Sequence, residues 1–128
     1  PGSLPGRLSG VAAIHALIPV PSADEEKKTI KFANVLGGGL RCNVEYEFLS
    51  CASMALGKMA RGATNVDYVE FEVTRALEWL GTQRSDRRLA AALVLRDLAK
   101  NAPTIFFAKT NNATGGANEF IDRILPAL

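Results

Sequence analysis

One eleven-residue pattern occurs three times, and it constrains the fold more than any other feature. Residues Arg7–Leu17 align with Leu49–Met59 and again with Arg88–Leu98, at offsets of 42 and 39 residues. In each copy the third and fourth positions are small: Ser9 and Gly10, Cys51 and Ala52, Ala90 and Ala91. The eighth is Ile14, Leu56 or Leu95, and the eleventh is Leu17, Met59 or Leu98. Small residues allow two helix backbones to approach closely, and the larger apolar residues one and two turns later fill the groove so formed. One unit cannot bury its own apolar surface, whereas three stacked units can.

A period near forty residues with two helices per unit is HEAT-like, so the expected fold is all-α, a HEAT-like α-solenoid segment of about three helical-hairpin repeats. Apolar residues recur at three and four positions and never in sustained alternation, which predicts helices over 7–18, 24–40, 44–61, 66–80, 86–101 and 118–128. The expected repeats are 7–40, 44–80 and 86–128, one segment spanning 4–128. Pro1-Gly2-Ser3 reads as the remnant of a tag-cleavage site and is set aside. With the apolar pattern still running at Leu128, both ends suggest a fragment of a longer chain. Arg7 and Arg88 share a position that Leu49 occupies in the middle copy, so no unbroken arginine ladder is expected.

Local signals place the boundaries. Ser22-Ala23-Asp24-Glu25 has the form of a capping box, with the Ser22 hydroxyl accepting from the first turn and Glu25 reaching back. Asn43, and Thr64 or Asn65, are placed to cap the third and fourth helices. Gly62 and Gly81 stand where a left-handed C-terminal residue is wanted. Gly37-Gly38-Gly39 is costly inside a helix, about 1 kcal/mol per glycine relative to alanine, and suggests an early end to the second helix. Ile105, Phe106 and Phe107 fit a short helical turn begun at Pro103, followed by a polar loop over 109–118.

Composition excludes several functions. A chain of 128 residues with 48% apolar and 22% charged residues is ordinary for one globular core. Its 15 basic and 13 acidic residues are interleaved for a net charge of +2, which leaves no electrostatic footprint for nucleic acid. No apolar run is long enough to span a bilayer, and the first residues show no charged segment leading into an apolar stretch and cleavage site. Cys42 and Cys51 are too few for a disulfide framework and lack the partners of a zinc site, so they read as reduced, partly buried structural thiols of a cytosolic protein.

Catalysis finds no foothold. His15 is the only histidine and lies within a helix, where it packs or faces solvent rather than acting as a base. The Gly37–Gly39 run follows a helix rather than a strand and lacks the ending of a phosphate cradle. The glycine-rich strand loop and the aspartate motifs of protein kinases are absent from the sequence. Glu45, Glu47, Glu70, Glu72 and Glu78 read as isolated surface acids, and Arg84, Asp86, Arg87 and Arg88 as a solvated turn and helix start. No catalytic, cofactor-binding or metal-binding residue is assigned.

The helix over 66–80 has two apolar stripes. Val66, Val69, Val73, Ala76, Leu77 and Leu80 share one side, while Tyr68, Phe71, Arg75 and Trp79 gather roughly 145° away on a helical wheel. Glu70, Thr74 and Glu78 fill the polar sector. A solenoid helix touches both its own partner and the next repeat, which accounts for two stripes by packing alone. Tyr, Trp and Arg are also the residues enriched at binding hot spots, so Tyr68, Phe71, Glu72, Arg75 and Trp79 form a candidate protein-interaction face.

Asp67 to Leu80, with the Tyr-Val-Glu-Phe-Glu-Val and Arg-Ala-Leu-Glu-Trp-Leu runs, closely resembles a stretch near the N-terminus of the target of rapamycin kinases, large phosphatidylinositol-3-kinase-related protein kinases. The likeness continues through Arg87-Arg88, Ala91–Ala99, Pro103-Thr104 and Phe106-Phe107. Upstream, Lys31–Leu36 and Ala55–Ala60 also resemble the family, so most of 7–107 is covered. The Gly37–Gly39 run and the 109–118 stretch depart from it.

The resemblance implies a non-catalytic scaffold within a serine/threonine kinase that controls growth in response to nutrients, its catalytic domain lying outside this chain. It implies no cofactor here. It also implies protein partners: the Raptor subunit, a second kinase protomer and a Rheb-like small GTPase. The parent would be cytoplasmic, and peripheral on lysosomal, vacuolar or other endomembranes. The repeat alone equally permits a HEAT adaptor of an unrelated transport or phosphatase-scaffold protein.

Overall fold

The three copies of the pattern lie side by side as α1 (Leu4–Leu17), α3 (Tyr46–Met59) and α5 (Ser85–Asn101), with α3 in the middle. The computed structural model describes residues 3–61 and 66–114, and among them there are six helices and no strand. The other three are α2 (Glu25–Cys42), α4 (Val66–Leu80) and α6 (Pro103–Thr114). Helix α2 rests on α3, α4 rests on α5, and α6 packs against both α4 and α5. The all-α solenoid expectation therefore holds. The helix expected over 118–128 and the caps expected at Gly62, Thr64 and Asn65 lie outside the described residues.

Burial follows the pattern most closely in the second and third copies. Ala52, Leu56, Ala90, Ala91, Leu95 and Leu98 are all buried, and Leu49 at the head of the middle copy is buried as well. Each fully buried leucine contributes roughly 1.5–3 kcal/mol of apolar transfer free energy. In the first copy Ser9 and Gly10 are exposed, Ile14 is half-buried and Leu17 is 47% exposed. The cause is the number of neighbours: α3 is flanked by α1, α2 and α5, whereas α1 packs chiefly on α3.

Polar contacts fasten α1 to the rest. The Lys28 ammonium donates to the carbonyls of Ile18 and Val20 at 2.9 and 2.6 Å, placing a cation just past the C-terminal end of α1, where the helix dipole favours one. Lys58 reaches the His15 carbonyl at 3.3 Å, and the His15 ring lies 3.3 Å from the Cys51 carbonyl, so this histidine is a packing residue. Arg7 pairs with Glu45 at 2.9 Å, while Arg88 donates to the Thr82 carbonyl at 2.8 Å.

Several boundary expectations are corrected. Helix α1 begins at Leu4 rather than near Arg7, with Ser3 as its N-cap accepting from Gly6 N–H at 3.2 Å. Asp24 rather than Ser22 caps α2, accepting from Lys27 N–H at 3.0 Å, although Glu25 does reach back to Ser22 N–H. Asn43 closes α2 instead of opening α3, its amide donating to the Gly39 carbonyl at 2.8 Å. Gly81 needs no left-handed conformation, because the chain leaves α4 through a tight turn onto the Glu78 and Trp79 carbonyls. Cys42 is exposed rather than partly buried.

Two larger corrections concern helix length. The stretch 109–114 continues α6 to Thr114 instead of forming a loop, and α6 is anchored by Phe106, which is buried, and by the half-buried Ile105. The Gly37–Gly39 run does not stop α2, which continues to Cys42. A Cβ on Gly39 would stand 2.6 Å from the Phe48 ring of α3, and one on Gly37 would collide with the Arg75 guanidinium of α4. Absent side chains at these two positions let α2 meet both helices, and that contact offsets the poor helix propensity of glycine.

The same reasoning applies at Gly57, where a Cβ would stand 2.8 Å from Asp97 Cβ and 2.9 Å from the Asp97 carbonyl oxygen. Neither atom belongs to a flexible tip, so α3 and α5 would have to separate. Gly57→Ala is expected to lower stability by about 1–3 kcal/mol despite the better helix propensity of alanine. Gly38, with no atom within 4 Å of its would-be Cβ, should gain up to about 1 kcal/mol as Gly38→Ala. Urea denaturation of both variants checks the pair, and an unchanged or raised midpoint for Gly57→Ala would refute the close-contact argument.

Candidate functional site

Helix α4 buries Val69, Val73, Ala76 and Leu77, so the side expected to face the core does so, apart from Val66, which is exposed at the first turn. The second stripe is divided by its surroundings. Tyr68 is half-buried, and its hydroxyl donates to the Leu56 carbonyl of α3 at 2.8 Å. Burial, with the Glu72 carboxylate beside it, holds the phenol well above its ordinary pKa and keeps it a donor. Trp79 is half-buried against the core, whereas Phe71 is 60% exposed.

Arg75 joins these residues. Its guanidinium carbon lies 5.6 Å from the Phe71 ring centroid and 5.3 Å from that of Trp79. Trp79 receives a second cation from Arg87 of α5, also at 5.3 Å. Such contacts are worth about 0.5–2 kcal/mol each, more where water is excluded. Arg87 on Trp79 and Arg88 on the Thr82 carbonyl are both half-buried, not the solvated helix start that sequence suggested. Arg87 belongs to the site and was missed, because nothing in its spacing from Trp79 shows that α5 brings it there.

Glu72 is the larger departure from expectation. It is a fully buried residue, 0% exposed, not a surface acid. One carboxylate oxygen accepts from Arg75 one turn later, and the other, Oε2, has no hydrogen-bond partner. Burial raises its pKa from an ordinary 4.5 to about 7, and the Arg75 charge opposes that rise only in part. The clue in the sequence was Gly37: a glycine inside a helix marks a close approach, here the room α2 leaves for Arg75.

Above the Glu72–Arg75 pair, the first turns of α2 and α4 diverge into an open cleft of about 490 Å³. Ile30, Ala33 and Asn34 form one wall, and Asp67, Tyr68, Phe71 and Glu72 form the other. The structure thus brings Tyr68, Phe71 and Glu72 to the cleft, while Arg75 and Trp79 buttress it from one side. Among the described residues no cluster of three or more metal-ligating side chains occurs, and no helix is long and apolar enough to cross a membrane. Seven of the ten residues lining this concave surface are polar, and a surface of such mixed character is suited to binding.

The Glu72 carboxyl has a measurable consequence. Because its folded pKa lies above its unfolded value, the folded chain holds the extra proton between about pH 4.5 and 7. Its contribution to stability is therefore present below pH 4.5 and lost as pH rises through 7, a change on the order of 3 kcal/mol. Glu72→Gln should remove that part of the pH dependence. Urea midpoints of the two proteins at pH 5 and pH 8 test this, and parallel slopes would rule it out.

No family model matches the chain. Among curated relatives, the "Serine/threonine-protein kinase TOR" of Oryza sativa subsp. japonica is 38% identical over 124 residues, covering 94% of this chain and 5% of the rice protein. The "Serine/threonine-protein kinase tor1" of Schizosaccharomyces pombe is 34% identical over 104 residues, 79% of this chain and 4% of the yeast protein. The corresponding Arabidopsis thaliana protein is 33% identical over 124 residues, 94% of this chain and 5% of its own length. The chain thus spans about a twentieth of the relatives it matches.

Proposed function

Because the chain is homologous to a segment of the target of rapamycin serine/threonine-protein kinases, we propose that it is a non-catalytic HEAT-type scaffold of such a kinase, docking a protein partner through α4. The parent would be the growth-controlling, nutrient-responsive kinase, with its catalytic domain elsewhere. The reading treats 7–40, 44–80 and 86–128 as successive repeats. Candidate partners are a Raptor-like subunit, a second kinase protomer and a Rheb-like small GTPase, in the cytoplasm or at endomembranes.

The observation that carries this reading is the cleft beside an exposed Phe71, whose ring is held by Arg75 while Val69, Val73, Ala76 and Leu77 of the same helix are committed to the core. An aromatic held in place by a half-buried cation loses little entropy on binding, as expected of an interface anchor. The alternative adaptor of an unrelated transport or phosphatase-scaffold protein is not favoured, since the relatives at this identity are TOR kinases.

Exposure separates docking from packing at this position. Phe71→Glu should leave the urea midpoint within about 0.5 kcal/mol of the parent, as surface changes do, yet weaken capture of a Rheb-like GTPase or a Raptor-like subunit at least tenfold, about 1.4 kcal/mol. Equal capture of every candidate by parent and variant would remove α4 from the interface.

A further inference from the structure

Where the last turn of α2 meets the first turn of α5, arginines gather with little to neutralise them. Arg41 of α2 is exposed and makes no hydrogen bond or ion pair among the described residues. Arg87 of α5 is half-buried, its guanidinium 5.3 Å from the Trp79 ring centroid. Its Nε is enclosed without a hydrogen-bond partner, whereas its two terminal nitrogens reach the surface and donate to no group among the described residues. Arg84, the N-cap residue of α5, is forked onto Asp86 at 2.7 and 3.2 Å. Asp86 also accepts from backbone N–H groups of its own turn, so its charge is committed there. Burial, then the nearby charges of Arg84 and Arg41, lowers the pKa of Arg87, against the opposing pull of Asp86 and Cys42. Three guanidinium groups thus share one carboxylate, and the corner keeps a positive excess.

We propose that this corner is a receptor for one phosphate monoester, carried on a phosphorylated side chain of a partner protein, with the Arg41 and Arg87 guanidinium groups meeting its oxygens from two helices. It lies at the Trp79 end of α4 rather than at the Phe71 cleft, so it goes beyond the docking surface described above and does not depend on it. A phosphate monoester carries close to two negative charges at neutral pH and three acceptor oxygens, enough to take donors from both arginines at once. A single carboxylate fills one fork, as Asp86 does with Arg84. The Trp79 ring holds the Arg87 guanidinium in place, so less freedom is lost when an anion binds. A phospholipid surface is the poorer occupant, because it is held by clusters of about four to eight basic residues, and here Asp86 stands among the arginines. Nucleic acid is disfavoured by a net charge of only +2.

The test is an NMR titration of the 15N-labelled chain at low ionic strength and about pH 7.5, where the phosphate is mostly dianionic. The probes are the capped tripeptide acetyl-alanyl-phosphoseryl-alaninamide, its serine and glutamate counterparts, and phosphatidylcholine vesicles doped with phosphatidic acid. The expected result is saturable amide shifts confined to the surroundings of Arg41 and to Arg84–Arg88, with the serine and glutamate peptides each at least about tenfold weaker. Arg41→Gln should leave the urea midpoint unchanged and weaken the phosphopeptide several-fold, as should Arg87→Gln. Lys27→Gln, the same loss of charge at the other end of α2, should leave the affinity unchanged. The serine comparison needs no variant, so it stands even if Arg87→Gln fails to fold. No saturable binding, shifts elsewhere, or equal affinity for the serine peptide overturns the proposal. Equal losses in Arg41→Gln and Lys27→Gln would reduce the site to net charge and overturn it as well. Equal affinity for the glutamate peptide removes the phosphate, and tighter binding to the doped vesicles than to the tripeptide at equal phosphate replaces the protein partner with a membrane.

Discussion

The backbones of α3 and α5 run so close at Gly57 that a single added carbon would stand 2.8 Å from Asp97 Cβ, and the rest of the architecture depends on that spacing. It brings Leu56 and Met59 of one helix and Leu95 and Leu98 of the other into one buried layer. A polar contact closes the same seam: Arg61, just past the end of α3, donates to the side-chain oxygen of Asn101 of α5 at 2.6 Å. With that pair set, α2 can rest on α3 and α4 on α5, because each finds an apolar groove already formed. A solenoid segment built in this way owes its stability to neighbouring helices more than to any single hairpin.

A second close approach, at Gly37, turns packing into a surface with chemical character. The missing side chain lets the Arg75 guanidinium sit against α2, and Arg75 in turn holds Phe71, Trp79 and Glu72. A buried ion pair is weak evidence of net stabilisation, because desolvation consumes most of the Coulombic gain. Its value here is positional. Arg75 holds the exposed Phe71 ring, as a preorganised binding surface requires, while the second carboxylate oxygen of Glu72 stays buried without a hydrogen-bond partner.

Much of this was legible in the residues. The eleven-residue repeat located the three stacked helices, and the period of 3.6 located the buried side of α4, since both report which positions share a helix face. The Tyr68, Phe71, Arg75 and Trp79 stripe was visible on a helical wheel, and the structure joins it through cation–aromatic contacts. Glu72 was misread as a surface acid because a helical wheel describes one helix, while burial depends on what lies opposite. Glycine propensity argued against α2 continuing to Cys42, and it was outweighed by contacts with Phe48 and Arg75 that belong to distant parts of the chain.

By itself, then, the sequence determined an all-helical chain of repeated units whose small residues meet and whose leucines are buried, because these follow from local periodicity. Only the tertiary structure decided which glycines are contacts, which acid is buried, and where the cleft opens. Those outcomes depend on the distance and angle at which α2, α4 and α5 cross, and that geometry is set by the summed packing of residues far apart in the chain.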